Sequence, residues 1–324
     1  MLRLAFALLV FAAPAAARTL HVGRGQEYAT PALAFRMTGE GDTVLIEPGE
    51  YYDCYAFDRG HFTIAGNGPG VVLTDAACQG KALLVLDGDD VTIRNITIAR
   101  VRVPDGNGAG IRLEASGLTL ENVNFVNNQV GVLAGWAGGA IRVRNCRFEG
   151  GGVGGPSPKY ALFIGQADLL RVEHSVFTGA KGGQIASGTD RTELIGNEIA
   201  TGFGERPAEA VFVSHGELVM EDNVITVGPN APFKQAAVIA WDGAKATLRR
   251  NRLVNQTGTP LTLLLDWTST GAVLEGNQLG TGDDLVGSSG IWRHRFSELY
   301  HDGKAQARAV AGRVKRYIMG LRQS

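Results

Sequence analysis

The chain has 324 residues, of which 44% are hydrophobic and only 7% aromatic, with 45 glycines. It is long enough to bury a large core, and glycine this abundant with few aromatics points to many tight turns around a narrow interior. A formal net charge of −1 supplies no global field for nucleic acid or an anionic membrane.

The first element is a targeting signal. Arg3, the apolar run Leu4–Ala13 and the small residues Ala15-Ala16-Ala17 read as a secretory signal peptide over 1–17. A transmembrane anchor would need roughly 20 apolar residues, and this run ends at Arg18. The product is expected to be secreted or periplasmic, with no transmembrane anchor. Residues 18–41 read as an N-terminal cap, with a strand at Thr19–Val22 and a short amphipathic helix over Ala29–Met37.

Residues 42–287 carry a repeat of about 26 residues. Its marker is a strand that closes on asparagine: Thr-Ile-Arg-Asn at 92–95, Thr-Leu-Glu-Asn at 119–122, Arg-Val-Arg-Asn at 142–145. The marker returns at 171–174 with His174, then ends on Asn197, Asn223, Asn251 and Asn277. Each repeat holds three short strands between turns, so the repeat predicts one coil of a solenoid, nine or ten coils in all. Stacked coils place one column at about 4.8 Å spacing. The asparagines are therefore expected to bond each other up the stack. The preceding residues, Arg94, Glu121, Arg144 and Glu173, alternate in sign and should pair.

A left-handed hexapeptide helix would repeat every 18 residues or so, and a propeller blade every 40 or more. The expected architecture is all-β: a single-domain right-handed parallel β-helix. Residues 288–324 read as a C-terminal amphipathic helix, with Val310, Val314, Tyr317, Ile318 and Leu321 on one face. It is expected to cover an apolar outward stripe or to cap the last coil, with membrane or partner binding as the rival.

Three cysteines in an oxidising compartment leave one odd. Cys54 and Cys78 lie 24 residues apart, about one coil, and are expected to form a disulfide. Cys146 alternates with Val143 and Phe148 and reads as buried and free.

The stretch Gly41–Tyr51, the phrase Phe62-Thr-Ile-Ala-Gly and the Asn-ended repeats resemble the pectin-lyase-like family of right-handed β-helices. Within it, Cys78-Gln-Gly-Lys81, Val103–Arg112 and Tyr160-Ala-Leu-Phe-Ile-Gly165 resemble a group of secreted bacterial β-helix proteins of poorly defined function. The resemblance covers roughly 19–280 and implies the fold. This fold hosts lyases, hydrolases, epimerases, tailspikes and adhesins, so it implies no single activity. In the similar proteins the phrase at 160 begins with His and has Tyr fourth, where this chain has Tyr160 and Phe163. Their His, Lys, Arg and outward Asp further on correspond to Gly183, Ala186, Gly188 and Phe212. The resemblance therefore implies an outward face stripped of proton-transfer groups.

The residues support the same weighing. Uronate lyases and epimerases need a base and a cation at the reacting carbon, and β-helix hydrolases need paired carboxylates. One outward column reads Arg112, Leu133, Phe163, Ala186, Phe212, Ile239 and Leu264. Two residues on, it reads Glu114, Gly135, Gly165, Gly188, Ser214, Trp241 and Asp266. Weak catalytic candidates are Arg112, Glu114, Tyr160 and His215. Arg112 with Glu114 on one strand is more often a solvated pair than a catalytic one, and His215 beside a turn is usually just a surface histidine. Binding candidates are Asp105, Asn107, Lys159, Gln184, Trp241 and Asp242. Asp105-Gly-Asn-Gly is first of all a turn, while Trp beside Asp suits sugar stacking or plain packing.

No metal set, cofactor site or nucleic-acid partner is expected, and the protein is expected to be a monomer. The leading functional expectation is polysaccharide binding with a reduced or lost catalytic set. The alternatives are a weakly active lyase, epimerase or hydrolase, and a non-catalytic envelope scaffold or adhesin-like protein.

Overall fold

The computed structural model describes residues 16–152, 160–204, 208–231, 236–241, 244–266 and 271–287. Over these residues the chain winds as a three-faced parallel solenoid. Each coil lays one strand in an eleven-stranded sheet, the next in a nine-stranded sheet and the third in a ten-stranded sheet. The expected all-β parallel helix is the fold. Its first strand is Thr19–Val22, in register with Thr43–Ile46. Its last is Asp284–Val286, paired with Thr262–Asp266. The signal segment through residue 15 and the amphipathic segment 288–324 lie outside the described residues.

Strand residues alternate between interior and surface, as period-2 geometry requires. In Val91–Arg94 the buried positions are Val91 and Ile93. The helix runs Pro31–Met37, two residues shorter at its start than expected, because Pro31 occupies the first turn and Thr30 stays extended. Its Ala34 and Phe35 are fully buried. Phe35 meets Tyr55 and Phe57 at ring-centroid distances of 5.8 and 5.1 Å, so the top of the core is covered.

Inside, Phe125, Phe148 and Phe177 stack at 4.6 and 4.5 Å. Room for them comes from the facing strand. A Cβ at Gly131 would lie 2.7 Å from the Phe148 ring. Cys54 and Cys78 form the expected disulfide, with Cα atoms 5.5 Å apart. Cys146 is buried and free, and burial pushes its thiol up to about 12, so it is held as an unreactive thiol.

The asparagines form two columns rather than the single one expected. Asn95, Asn122, Asn145 and His174 sit at positive φ in a surface turn. Strand register then places Gly196, Asp222, Arg250 and Gly276 in that turn column, also at positive φ. Asn197, Asn223, Asn251 and Asn277 lie one residue further on, in the column of Cys146 and Ser175. There the side chains bond successively, at 3.0, 2.8 and 3.0 Å, and each Nδ2 also donates to a carbonyl of the preceding coil. Each Oδ1 accepts a backbone N–H from the coil before it, the first being that of Ser175 at 2.9 Å. Asn197, Asn223 and Asn251 are buried and fully engaged, as buried amides must be.

The outer surface of the eleven-stranded sheet is ionic. The alternation Arg94, Glu121, Arg144, Glu173 holds in strand register, and Arg144 pairs with Glu121 at 3.2 Å. Further down, Arg171 reaches both Glu173 and Glu193 at 2.7 Å. Arg191 binds Glu193 at 2.5 Å and also pairs with Glu217. Arg249 bridges Glu221 and Glu275.

Candidate functional site

The ten-stranded sheet presents a different surface. Its outward column runs Val85, Arg112, Leu133, Phe163, Ala186, Phe212 and Ile239 by strand register. It ends on Leu265, not Leu264, which stands in the inward column of Val238. Asp266 correspondingly aligns with Ala240 rather than with Trp241. Leu263, Leu264 and Leu265 are three identical residues in a row, so nothing among them marks which faces out.

Charge gathers at the N-terminal end of this face. Lys81 Nζ donates to both oxygens of Glu114, at 2.8 and 2.9 Å. Arg112 Nε lies 3.5 Å from Glu114 Oε1, and its buried N–H has no hydrogen-bond partner. One coil further on, Trp136 stands at the sheet's corner, 80% exposed.

The middle is aromatic. Phe163 is 39% exposed and its ring lies 6.4 Å from that of Tyr160. Phe212 and Trp241 are half-buried, with centroids 6.4 Å apart, and pack over Ala236, Ile239 and Leu265. The Tyr160 hydroxyl donates to Glu209 Oε1 two coils away. It can do so because Gly183 lies between them. A Cβ there would sit 2.4 Å from the Tyr160 ring and 2.9 Å from the Glu209 carbonyl. Burial raises the Glu209 carboxyl above the usual carboxylate range, against the lowering effect of the Tyr160 bond. Burial, then the nearby Glu209 charge, drives the Tyr160 phenol well above its ordinary value. Both shifts run toward the protonated forms of the pair.

At the opposite edge His215 Nδ1 lies 3.4 Å from Ser214 Oγ, and its Nε2 is 3.9 Å from Asp190 Oδ1. His215 and Asp190 are both exposed. The Asp190 separation is too long for a hydrogen bond, so these three residues do not form a charge-linked nucleophile.

The sequence candidates do not converge on one point. Arg112 and Glu114 meet Lys81, Tyr160 meets Glu209 two coils later, and His215 is a further coil beyond Gly183–Ser187 on the far edge. Gln184 points inward. It is fully buried and its Nε2 donates to Ala200 O at 2.6 Å, while its Oε1 is left without a partner. The reason is a phase change in these strands: Gly183 and Ala186 face out, and Gln184 and Ile185 both face in. Asp105 accepts the Asn107 backbone N–H at 2.9 Å, the turn expected of that motif. Gln129 pins the same loop by accepting from Val103 and Gly108. Lys159, Asp242 and Trp267 lie outside the described residues.

Three residues of this face escaped the sequence reading: Lys81, Trp136 and Glu209. Glu209 had a signal, since it precedes Phe212 by three residues as Tyr160 precedes Phe163. Among the described residues no group of three or more His, Cys, Asp or Glu is placed to hold a metal ion. Nor is any helix among them long and apolar enough to cross a membrane.

The signature of a right-handed beta helix region matches residues 50–199 and 81–253. The chain belongs to the right-handed β-helix family. Solved structures of this fold include the PL6 family alginate lyase AlyGC, at a TM-score of 0.56 and 17% identity. That match covers 82% of this chain and 40% of the lyase, so the chain spans well under half of that enzyme. PfbA, a surface adhesin of Streptococcus pneumoniae, gives a TM-score of 0.53 at 12% identity, covering 79% of this chain and 87% of the adhesin. A Geobacillus virus E2 protein, ORF18, gives 0.52 at 12% identity, over 75% of this chain and 53% of its own. At these identities the likeness is one of fold. No curated protein matches the chain by sequence.

Proposed function

We propose that this β-helix protein acts outside the cytoplasm and binds an extended polysaccharide along the outward face of its ten-stranded sheet, without efficient turnover. The observation that carries the reading is the line of rings from exposed Trp136 and Phe163 to half-buried Phe212 and Trp241. Flat apolar rings with a polar surround suit the faces of sugar rings. Trp136 and Trp241 stand on strands four spacings apart, about 19 Å along the axis, enough for several linked sugar units. The signal-like segment 1–17 and the Cys54–Cys78 disulfide support an oxidising compartment. A single solenoid acting as a monomer is enough for such a site.

Efficient elimination chemistry is not supported. The cations Lys81 and Arg112 are coils away from Tyr160 and Glu209, and Ala186 and Phe212 supply no base between them. The alginate lyase and the adhesin share the backbone; this face is closer to what a binder needs. The test combines tryptophan fluorescence titration against a panel of oligosaccharides with a lyase screen read by uronate absorbance. Saturable binding without absorbance growth is the expected result. Rapid growth of absorbance, or no binding to any glycan, would reject the reading.

One observation favours a second reading. Glu209, with its carboxyl shifted upward by burial and hydrogen-bonded by the Tyr160 hydroxyl, is placed as a general acid would be, so weak hydrolysis would be lost in Glu209→Gln. Reducing-sugar release unaffected by that substitution would eliminate it.

A further inference from the structure

The two ends of the solenoid are finished differently. At the N-terminal end the inward residues Leu20 and Val22 are 3% and 0% exposed, beneath the helix that carries Phe35. At the C-terminal end the coil of Leu248, Leu253, Leu263 and Leu264 is still sealed, none more than 4% exposed. The residues that continue those inward columns are Leu274, Leu279, Leu285 and Val286. Leu285 and Val286 are each 43% exposed, and Leu274 and Leu279 are only half-buried. Core positions are thus left facing outward at the end of the stack. Val273–Glu275 and Asp284–Val286 are also the last strands of their sheets, and open edges recruit further strands.

Charge says what should sit there. Between 256 and 287 the chain has Asp266, Glu275, Asp283 and Asp284 and no Lys, Arg or His. Asp283 accepts from Asn255 and Leu261 through Oδ1, while its buried Oδ2 has no hydrogen-bond partner. The next 37 residues carry eight Lys and Arg against Glu298 and Asp302, a formal +6. They start directly from the open edge, and their apolar residues Val310, Val314, Tyr317, Ile318 and Leu321 recur at helical spacing.

We propose that residues 288–324 dock on this open end as its cap, with their apolar side over Leu274, Leu279, Leu285 and Val286 and their basic side toward the terminal acidic coil. The cap closes the core and blocks end-to-end strand pairing between copies of the chain. It requires nothing of the glycan face.

The experiment uses the full chain and two variants whose changes lie beyond the solenoid: Val310→Asp with Val314→Asp, and Arg313→Glu with Lys315→Glu and Arg316→Glu. Hydrogen exchange is followed at 273–275 and 284–286, with light scattering for assembly. The first variant should exchange at least about tenfold faster at those strands and self-associate as concentration rises. The second should show a smaller acceleration, and added salt should produce the same change in the unaltered chain. Unchanged exchange and assembly in both variants would overturn the cap. So would a chain that binds phosphatidylglycerol vesicles through this segment at physiological salt while neither variant alters exchange at the end strands.

Discussion

On the eleven-stranded sheet the outward positions carry Arg171, Glu173, Arg191, Glu193 and Glu217. On the ten-stranded sheet the equivalent outward positions carry Leu133, Phe163, Ala186 and Phe212. The backbone is the same in both, with parallel strands stacked in register over one shared core. This stretch of the ionic face neutralises itself: Arg171 and Arg191 are each engaged by two carboxylates. Leu133, Phe163, Ala186 and Phe212 instead present apolar side chains, which have no charge to neutralise. A solenoid can thus differ by face, one side knitted by ion pairs along the stack and another left apolar.

The largest effect is expected from filling the gap under Tyr160. Gly183→Val places side-chain atoms against the Tyr160 ring and the Glu209 carbonyl, and overpacking of this kind costs about 1–3 kcal/mol. Lower melting together with lost glycan binding is expected. A variant that melts and binds normally would show that the pair does not organise the face.

Next in size is Phe212→Ala, expected to weaken oligosaccharide binding by about tenfold, roughly 1.4 kcal/mol. A hexamer should suffer more than a dimer, because only the longer chain can span Trp136 to Trp241. Equal losses at both lengths in a titration would argue for one local pocket instead of a track.

The third expectation concerns pH. The folded-state carboxyl of Glu209 is raised above its unfolded value. The folded state therefore holds this proton more tightly. The stabilisation from that proton is fully present below about 4.5, the unfolded value, and is lost as pH rises through the raised folded value. Glu209→Gln should flatten this part of the melting-versus-pH curve and melt higher than the parent at neutral pH. Parallel curves for the two proteins would refute the buried acid.

The smallest effect belongs to the ionic face. Arg171→Ala breaks pairs with Glu173 and Glu193, yet Arg171 is 38% exposed, so solvent screening should hold the loss below about 1 kcal/mol. Glycan affinity should not change. A measurable fall in binding would place the ligand on the wrong face.

Much of this fold was legible because the repeat records a physical spacing. Asn95, Asn122 and Asn145 mark a turn in each coil, Cys54 and Cys78 are one coil apart, and Arg94 to Glu173 alternate because they stack. What could not be read was phase within a strand. Gln184 looked outward until the strand showed two consecutive inward positions, and the leucine run at 263–265 concealed which leucine faces out. The site was legible only in its absences. Gly183, Ala186 and Phe212 themselves bring no proton-transfer group, while Glu209 meets Tyr160 from 49 positions away, and no local pattern joins them.

The shift between the two asparagine columns has a consequence for how such a chain can grow or shrink. Upstream of His174 the marker asparagine belongs to the surface turn; from Asn197 onward it belongs to the interior. Coils on either side of that boundary are consequently not interchangeable modules. A gene duplication copying the coil of Asn122 to a site below Asn223 would keep the repeat length and the strand pattern. It would also set Val123 between Asn223 and Asn251, so that the Asn223 backbone N–H and one Nδ2 hydrogen lose the Asn251 Oδ1 that now accepts them, at about 1–3 kcal/mol for each unsatisfied group. Copying within either half preserves the chemistry. The array is thus two homogeneous segments joined once, and lengthening by whole coils is tolerated only within a segment.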